Sequence, residues 1–255
     1  MFPYRDENDT VRTPIVTFAL IAANVLIWLF FQGAGASGAL EASVCNWGLI
    51  PGELTLQATP GDGFPMSAGM ACLVDQGREP IHVLTSMFLH GGWMHLLGNM
   101  WFLWLFGNNV EDSMGRLRFL VFYVLCGAIA ALAHVFTDSE SIVPMVGASG
   151  AISGVMGAYV VLYPRVRVYC FVVIIVFVTT IAVPAWVMLG YWMLLQVLGG
   201  LAPAAGGGVA FWAHIGGFAA GVLLIRSFSR PEYVQQHRAS HWRPSRLGMD
   251  RSSWR

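Results

Sequence analysis

Six apolar stretches, separated by polar or glycine-rich segments, dominate the chain. They cover roughly residues 15–31, 92–107, 117–136, 144–163, 168–201 and 209–228. A helix needs about 20 largely apolar residues to cross the hydrocarbon core of a bilayer. The pattern therefore predicts an all-α membrane protein whose partners include the lipid bilayer.

The fifth stretch is too long for one straight helix, and Pro184 interrupts it. Its first part, residues 168–181, is rich in β-branched and aromatic residues, so it suits an extended or interfacial segment as well as a helix. Pro184 is well placed to open a helix that runs to about Leu198. The conformation of residues 168–183 stays open at this point.

Composition and charge support a membrane protein and give it an orientation. Only 11% of the residues are charged, against about 25% in soluble domains, and the net charge of zero predicts no nucleic-acid partner. Every basic residue is an arginine, and thirteen of the fourteen fall in the tails or even-numbered loops; only Arg78 lies in an odd-numbered loop. This asymmetry predicts six transmembrane helices with both termini cytoplasmic.

The same topology divides the chain into three parts. Residues 1–13 form a cytoplasmic N-terminal tail, residues 14–228 the six-helix domain, and residues 229–255 a cytoplasmic, disordered tail. The domain includes a large external first loop at about 33–80, which holds Cys45 and Cys72. An external loop permits a disulfide, but two free buried thiols fit the sequence equally well.

Four polar side chains inside the apolar stretches fall at similar depth in this topology. They are His95, Asn99, Ser149 and His214. Polar groups in lipid are costly and tend to mark function. Ser149 can act as a nucleophile and His214 as its base, while His95 and Asn99, four residues apart on one helix face, can donate to an oxyanion. The alternative is that the serine merely packs its helix.

Glycines recur on the helices that carry the serine and the last histidine. Gly147, Gly150 and Gly154 surround Ser149, and Gly217 and Gly221 follow His214 at helical spacing. Small residues let two membrane helices approach closely. We therefore expect these five glycines to pack the fourth and sixth helices together, with Ser149 and His214 in contact.

Four segments together resemble motifs of the rhomboid family of intramembrane serine proteases, and they follow one another in the same order as in that family. They are HGGWMHLLGNM (90–100), GNNVED (107–112), GASG (147–150) and AHIGGFAAG (213–221). The resemblance implies a serine endopeptidase that cleaves bonds in or next to transmembrane segments of single-span proteins, with no cofactor and no metal. It implies Ser149 as nucleophile, His214 as general base, and His95, Asn99 and the Ser149 amide as oxyanion donors.

The sequence also departs from the family pattern. Some bacterial rhomboids have a tyrosine one turn after the nucleophile, stacked on the catalytic histidine, where this chain has Ser153. What supports the His214 ring is therefore open. With no seventh span and no folded amino-terminal domain in evidence, we expect the bacterial six-helix type, in the inner (plasma) membrane. The alternative function is a catalytically inactive rhomboid-like protein that binds membrane clients.

Overall fold

The computed structural model describes residues 1–66, 70–75, 77, 79–174, 177–202 and 210–241. Its principal helices are α1 (Ile15–Leu26), α2 (Ser37–Trp47), α3 (Pro51–Thr55), α4 (His82–Thr85), α5 (Trp93–Phe102), α6 (Asn108–Met114), α7 (Arg116–Thr137), α8 (Ser149–Leu162), α9 (Ala185–Leu201), α10 (Phe211–Phe228) and α11 (Pro231–His241). Short π-helical segments, Ile27–Phe31 and Leu103–Gly107, extend α1 and join α5 to α6. The strands are β1 (Phe2–Asp6), β2 (Gly63–Pro65), β3 (Ala71–Leu73), β4 (Arg167–Ile174) and β5 (Phe177–Pro184).

Helix α8 lies in the core of the bundle and packs against α7 and α10, which also pack against each other. Most of its side chains are buried, including Ile152, Val155 and Tyr159. Its composition explains this position, since glycine, alanine and serine allow neighbouring helices to approach on several sides. The core therefore forms around the helix that begins at Ser149.

Two described helices, α7 and α10, are long and apolar enough to cross a membrane by themselves. Shorter apolar helices cover Ile15–Phe31, Ser149–Leu162 and Ala185–Leu201. The third and sixth apolar stretches thus form helices close to the predicted limits. Part of the charge argument rests on Arg78, Arg243, Arg246, Arg251 and Arg255, which lie outside the described residues.

The described residues between α8 and α9 are largely extended, which decides between the open alternatives for residues 168–174 and 177–183. Strands β4 and β5 form an antiparallel hairpin, and β1 adds to the outer side of β4. The β-branched residues of this segment favour the pleated conformation. Residues Phe2–Asp6, at the start of the expected N-terminal tail, are therefore part of a three-stranded sheet.

The first loop is structured and cross-linked. Cys45 of α2 and Cys72 of β3 form a disulfide, with Cα atoms 5.1 Å apart. Strand β3 pairs with β2, so the bond fixes a small hairpin against α2. Of the two alternatives for these cysteines, the structure has the disulfide.

The expectation of a disordered tail from residue 229 was wrong for Pro231–His241, which forms α11. His237 explains why this helix packs on the protein. Its Nδ1 lies 2.7 Å from Oδ2 of Asp112, and its Nε2 lies 2.7 Å from Oδ1 of Asn8. The sequence analysis missed these contacts because both partners are more than 100 residues away in the chain.

Candidate active site

Two side chains with complementary chemistry meet at the amino-terminal ends of α8 and α10. Ser149 is the first residue of α8, and His214 lies in the first turn of α10. The Oγ of Ser149 and the Nε2 of His214 are 2.8 Å apart, which is hydrogen-bonding distance. A serine hydroxyl in this contact can pass its proton to the imidazole as the oxygen attacks a carbonyl carbon.

Glycines allow α8 and α10 to approach closely enough for this contact. A Cβ added at Gly217 would lie 2.1 Å from the carbonyl oxygen of Gly150, and one at Gly221 would lie 1.9 Å from that of Gly154. Both gaps are too small for any side chain. A Cβ added at Gly154 would lie 2.4 Å from the Cβ of Cys126 in α7. This glycine therefore also lets α7 approach α8 closely.

Gly147 does not belong to this packing surface. It precedes α8, and its φ of +129° lies in the region that favours glycine. An added Cβ would lie 2.7 Å from Nε2 of His95 and 3.6 Å from Nδ2 of Asn99. The prediction that Gly147 packs one helix against another was therefore wrong. Its missing side chain makes room for two polar groups of α5 next to Ser149.

His95 and Asn99 both direct a nitrogen toward this glycine. The amide of Gly91 donates to Nδ1 of His95 at 3.3 Å, which in the neutral ring leaves the proton on Nε2. The Nδ2 of Asn99 is buried and has no hydrogen-bond partner within the described ranges. Because Asn99 also lines the cavity beside Ser149, this amide group is available to donate a hydrogen bond to an atom that enters the cavity.

Gln196 of α9 supports the His214 ring and was not given a role by the sequence analysis. Its Oε1 lies 2.8 Å from Nδ1 of His214, and the Trp192 ring lies 5.8 Å from the imidazole, tilted by 38°. A proton on Nδ1 donated to Gln196 leaves the Nε2 lone pair facing Ser149. The signal in the sequence was a glutamine inside an apolar helix.

Ser153 has the packing role that a serine in an apolar helix commonly has. It is fully buried, and its hydroxyl donates to the main-chain oxygen of Ser149 at 2.6 Å. The two serines of α8 are therefore clearly distinct. Of the two, Ser149 is the one that is hydrogen-bonded to a histidine.

A cavity of about 790 Å³ opens beside the pair. Its polar lining includes Ser149, His214, His95 and Asn99, and most of the remaining wall is apolar. Helix α2 and the β2–β3 hairpin contribute to the wall through Leu40, Val44, Phe64 and Met66. Among the described residues, no group of three or more histidine, cysteine or carboxylate side chains could hold a metal ion.

Comparison with known proteins identifies the family. A family model described as Rhomboid domain matches residues 77–231, which include the serine, both oxyanion-site candidates and the histidine. This chain belongs to the rhomboid family. It is therefore an integral membrane protein with a helical fold, and the resemblance seen in the four sequence segments is confirmed.

Several curated rhomboid relatives match at moderate identity. The putative rhomboid protease YdcA of Bacillus subtilis is 31% identical over 147 residues, covering 57% of this chain and 61% of that protein. RHOMBOID-like protein 4 of Arabidopsis thaliana is 32% identical over 203 residues, covering 78% and 46%. Rhomboid protease GluP of B. subtilis is 32% identical over 154 residues, covering 60% and 26%. The chain thus spans less than two thirds of the length of each of these relatives.

Proposed function

We propose that this rhomboid-family chain is an intramembrane serine endopeptidase that cleaves peptide bonds in or next to transmembrane segments of single-span proteins. The observation that carries the proposal is the 2.8 Å contact between Ser149 Oγ and His214 Nε2. The names of YdcA and GluP, which call them rhomboid proteases, agree with this activity.

The proposed reaction uses Ser149 and His214 as a dyad. Ser149 Oγ attacks the scissile carbonyl carbon while its proton moves to Nε2 of His214. The resulting oxyanion accepts hydrogen bonds from His95, Asn99 and the Ser149 amide, which has no intrahelical partner at the start of α8. The intermediate collapses as His214 returns the proton to the leaving amine, and water then hydrolyses the acyl-enzyme by the same route.

The proposed setting is a six-helix domain over residues 14–228 with both termini cytoplasmic, in the inner (plasma) membrane of a bacterium. Thirteen of the fourteen basic residues lie on the side that this topology makes cytoplasmic. The catalytic pair then lies in the outer part of the membrane. The loop at about 33–80 covers it from outside.

Labelling with a fluorophosphonate probe tests the nucleophile directly. We expect the probe to label the wild-type chain and Ser153→Ala, and to leave Ser149→Ala unlabelled. In liposomes that contain a single-span reporter, Ser149→Ala and His214→Ala should each abolish cleavage, and the double variant should be no worse than either. A wild-type chain that neither labels nor cleaves would instead support the client-binding alternative, and cleavage by Ser149→Ala would overturn the dyad.

A further inference from the structure

An arginine-lined pocket lies at the end of the helix bundle opposite the catalytic pair. It has a volume of about 440 Å³ and is lined by Arg12, Arg116, Arg118 and Arg230, together with two carboxylates. His214 lies in the first turn of α10, whereas Arg230 follows its last turn. We call this site the arginine pocket.

The two carboxylates of the arginine pocket are already engaged within the protein. Asp112 forms an ion pair with Arg12 at 3.0 Å and also contacts His237. Glu111 accepts the main-chain amides of Val16 and Thr17 at the start of α1. Both acids thus have partners outside the other three arginines, and four arginines against two carboxylates leave the lining with a formal surplus of two positive charges.

Those three arginines form no ion pair in the described part of the chain. Arg118 donates to the main-chain oxygen of Phe228, and Arg230 donates to the hydroxyl of Tyr233. The Nε of Arg230 is buried without a hydrogen-bond partner among the described residues. The uncapped amino terminus of α7 also lies in this pocket and adds the positive end of a helix dipole. The site therefore favours an anion.

An apolar surface continues from the arginine pocket along α7. Leu117 lines the pocket and is 75% exposed. The exposed side chains that follow at spacings of three or four are Val121, Leu125, Ile129, Leu132 and Phe136. Residues at these spacings share one helix face, and α7 is long and apolar enough to span the membrane. This face is therefore in contact with lipid acyl chains.

We propose that the arginine pocket binds the phosphate headgroup of an anionic phospholipid whose acyl chains lie along this face of α7. Guanidinium groups bind phosphate by paired hydrogen bonds, and basic pockets at the ends of membrane helices suit such headgroups. The arginine pocket directly adjoins the exposed apolar face of α7 through Leu117. This arrangement favours a lipid, which has both a phosphate and acyl chains, over a soluble phosphate. The proposal does not depend on peptidase activity.

The chain offers a matched pair of variants for the test. Arg116→Gln/Arg118→Gln removes two charges from the arginine pocket. Arg165→Gln/Arg167→Gln removes two exposed arginines at the same spacing, one in the turn after α8 and one at the start of β4. Detergent-solubilised full-length protein is titrated with phosphatidylglycerol, with phosphatidylcholine of the same acyl chains, or with inorganic phosphate. Bound lipid is counted by native mass spectrometry, and protection is followed by thermal unfolding.

We expect phosphatidylglycerol to bind and stabilise the wild-type chain more than phosphatidylcholine does. Its affinity should fall roughly tenfold or more in Arg116→Gln/Arg118→Gln and by less than about twofold in the control pair. Equal losses in the two pairs would overturn the proposal, because general surface charge would then explain binding. Equal protection by inorganic phosphate at the same concentration would overturn the assignment to a lipid.

A single substitution keeps the test valid if the double variant does not fold. Arg116 is exposed and makes no side-chain hydrogen bond within the described ranges, so Arg116→Gln leaves the packing unchanged. We expect it to weaken phosphatidylglycerol binding by about fivefold. Unchanged binding in folded Arg116→Gln would overturn the proposal.

Discussion

At the scale of single residues, Asn99 lines the cavity beside Ser149, and its buried amide nitrogen has no partner among the described residues. If the proposed reaction is correct, Asn99→Ala lowers kcat for a single-span substrate by about 10²–10³-fold. KM should change little, because the donor acts mainly in the transition state. Leu97→Ala, at an exposed position of α5, is the control. A raised KM with normal kcat would make Asn99 a substrate-binding residue instead.

Gln196 is expected to act through His214 as a positioning residue. Gln196→Ala removes the acceptor of the Nδ1 proton, so both ring orientation and tautomer become less well defined. We expect kcat to fall by about 10- to 100-fold, with most activity restored in Gln196→Glu, which keeps an oxygen acceptor. Leu195→Ala, exposed on the same helix, controls for a general effect on α9. Equal losses in the Ala and Glu variants would show a purely structural role.

At the scale of elements, the distance between α8 and α10 determines whether the dyad forms. In Gly221→Ala, the added Cβ would lie 1.9 Å from the carbonyl oxygen of Gly154, so the two helices would have to move apart. We expect a loss of about 1–3 kcal/mol in stability and a parallel loss of cleavage. Gly190→Ala is the matched control, because nothing lies within 4 Å of a Cβ at that position in α9. Thermal unfolding that does not distinguish the two variants would contradict this account.

At the scale of the whole molecule, buried polar groups tie the first and last described segments to the bundle. Asp6 of β1 accepts from the Tyr159 hydroxyl of α8 at 2.5 Å and from the Asn109 amide of α6. Burial raises the pKa of Asp6 from 3.8 to about 6, although the bond from Tyr159 acts in the opposite direction. Beside it, hydrogen bonds from His237, Val11 and Arg12 lower the pKa of Asp112, although burial opposes them.

The raised pKa of Asp6 predicts a pH dependence of stability. The folded state binds this proton more tightly, so Asp6 favours folding fully below about pH 4 and loses that contribution as pH rises through about 6. Asp6→Asn keeps an acceptor for Tyr159 and cannot titrate. We therefore expect the melting temperature of the wild type, relative to Asp6→Asn, to fall between about pH 4 and pH 8. A difference that is independent of pH would contradict the prediction.

The sequence by itself determined the helices at the third and sixth apolar stretches and the set of candidate site residues. Candidate site residues could be recognised because a polar side chain in lipid is costly. Such residues are therefore easy to identify within the apolar stretches. The pair Ser149 and His214 could be selected this way, although 65 residues separate them. The glycine spacing on α8 and α10 likewise predicted a close approach, and only Gly147 was misplaced.

Only the tertiary structure decided which groups surround that pair. Gln196 supports His214, the β4–β5 hairpin pairs with β1, and α11 packs on α6 through His237. Gln196 and His214 are 18 residues apart on different helices, and the other two contacts join residues more than 100 positions apart. Neither periodicity nor composition encodes which partner is met. Gly147 shows the same limit, since its spacing matched a helix face while its backbone, at φ +129°, lies outside the helix. The local sequence shows which polar side chains are costly to place in lipid and which backbone conformations are favoured. Which residues come into contact depends on how the helices pack.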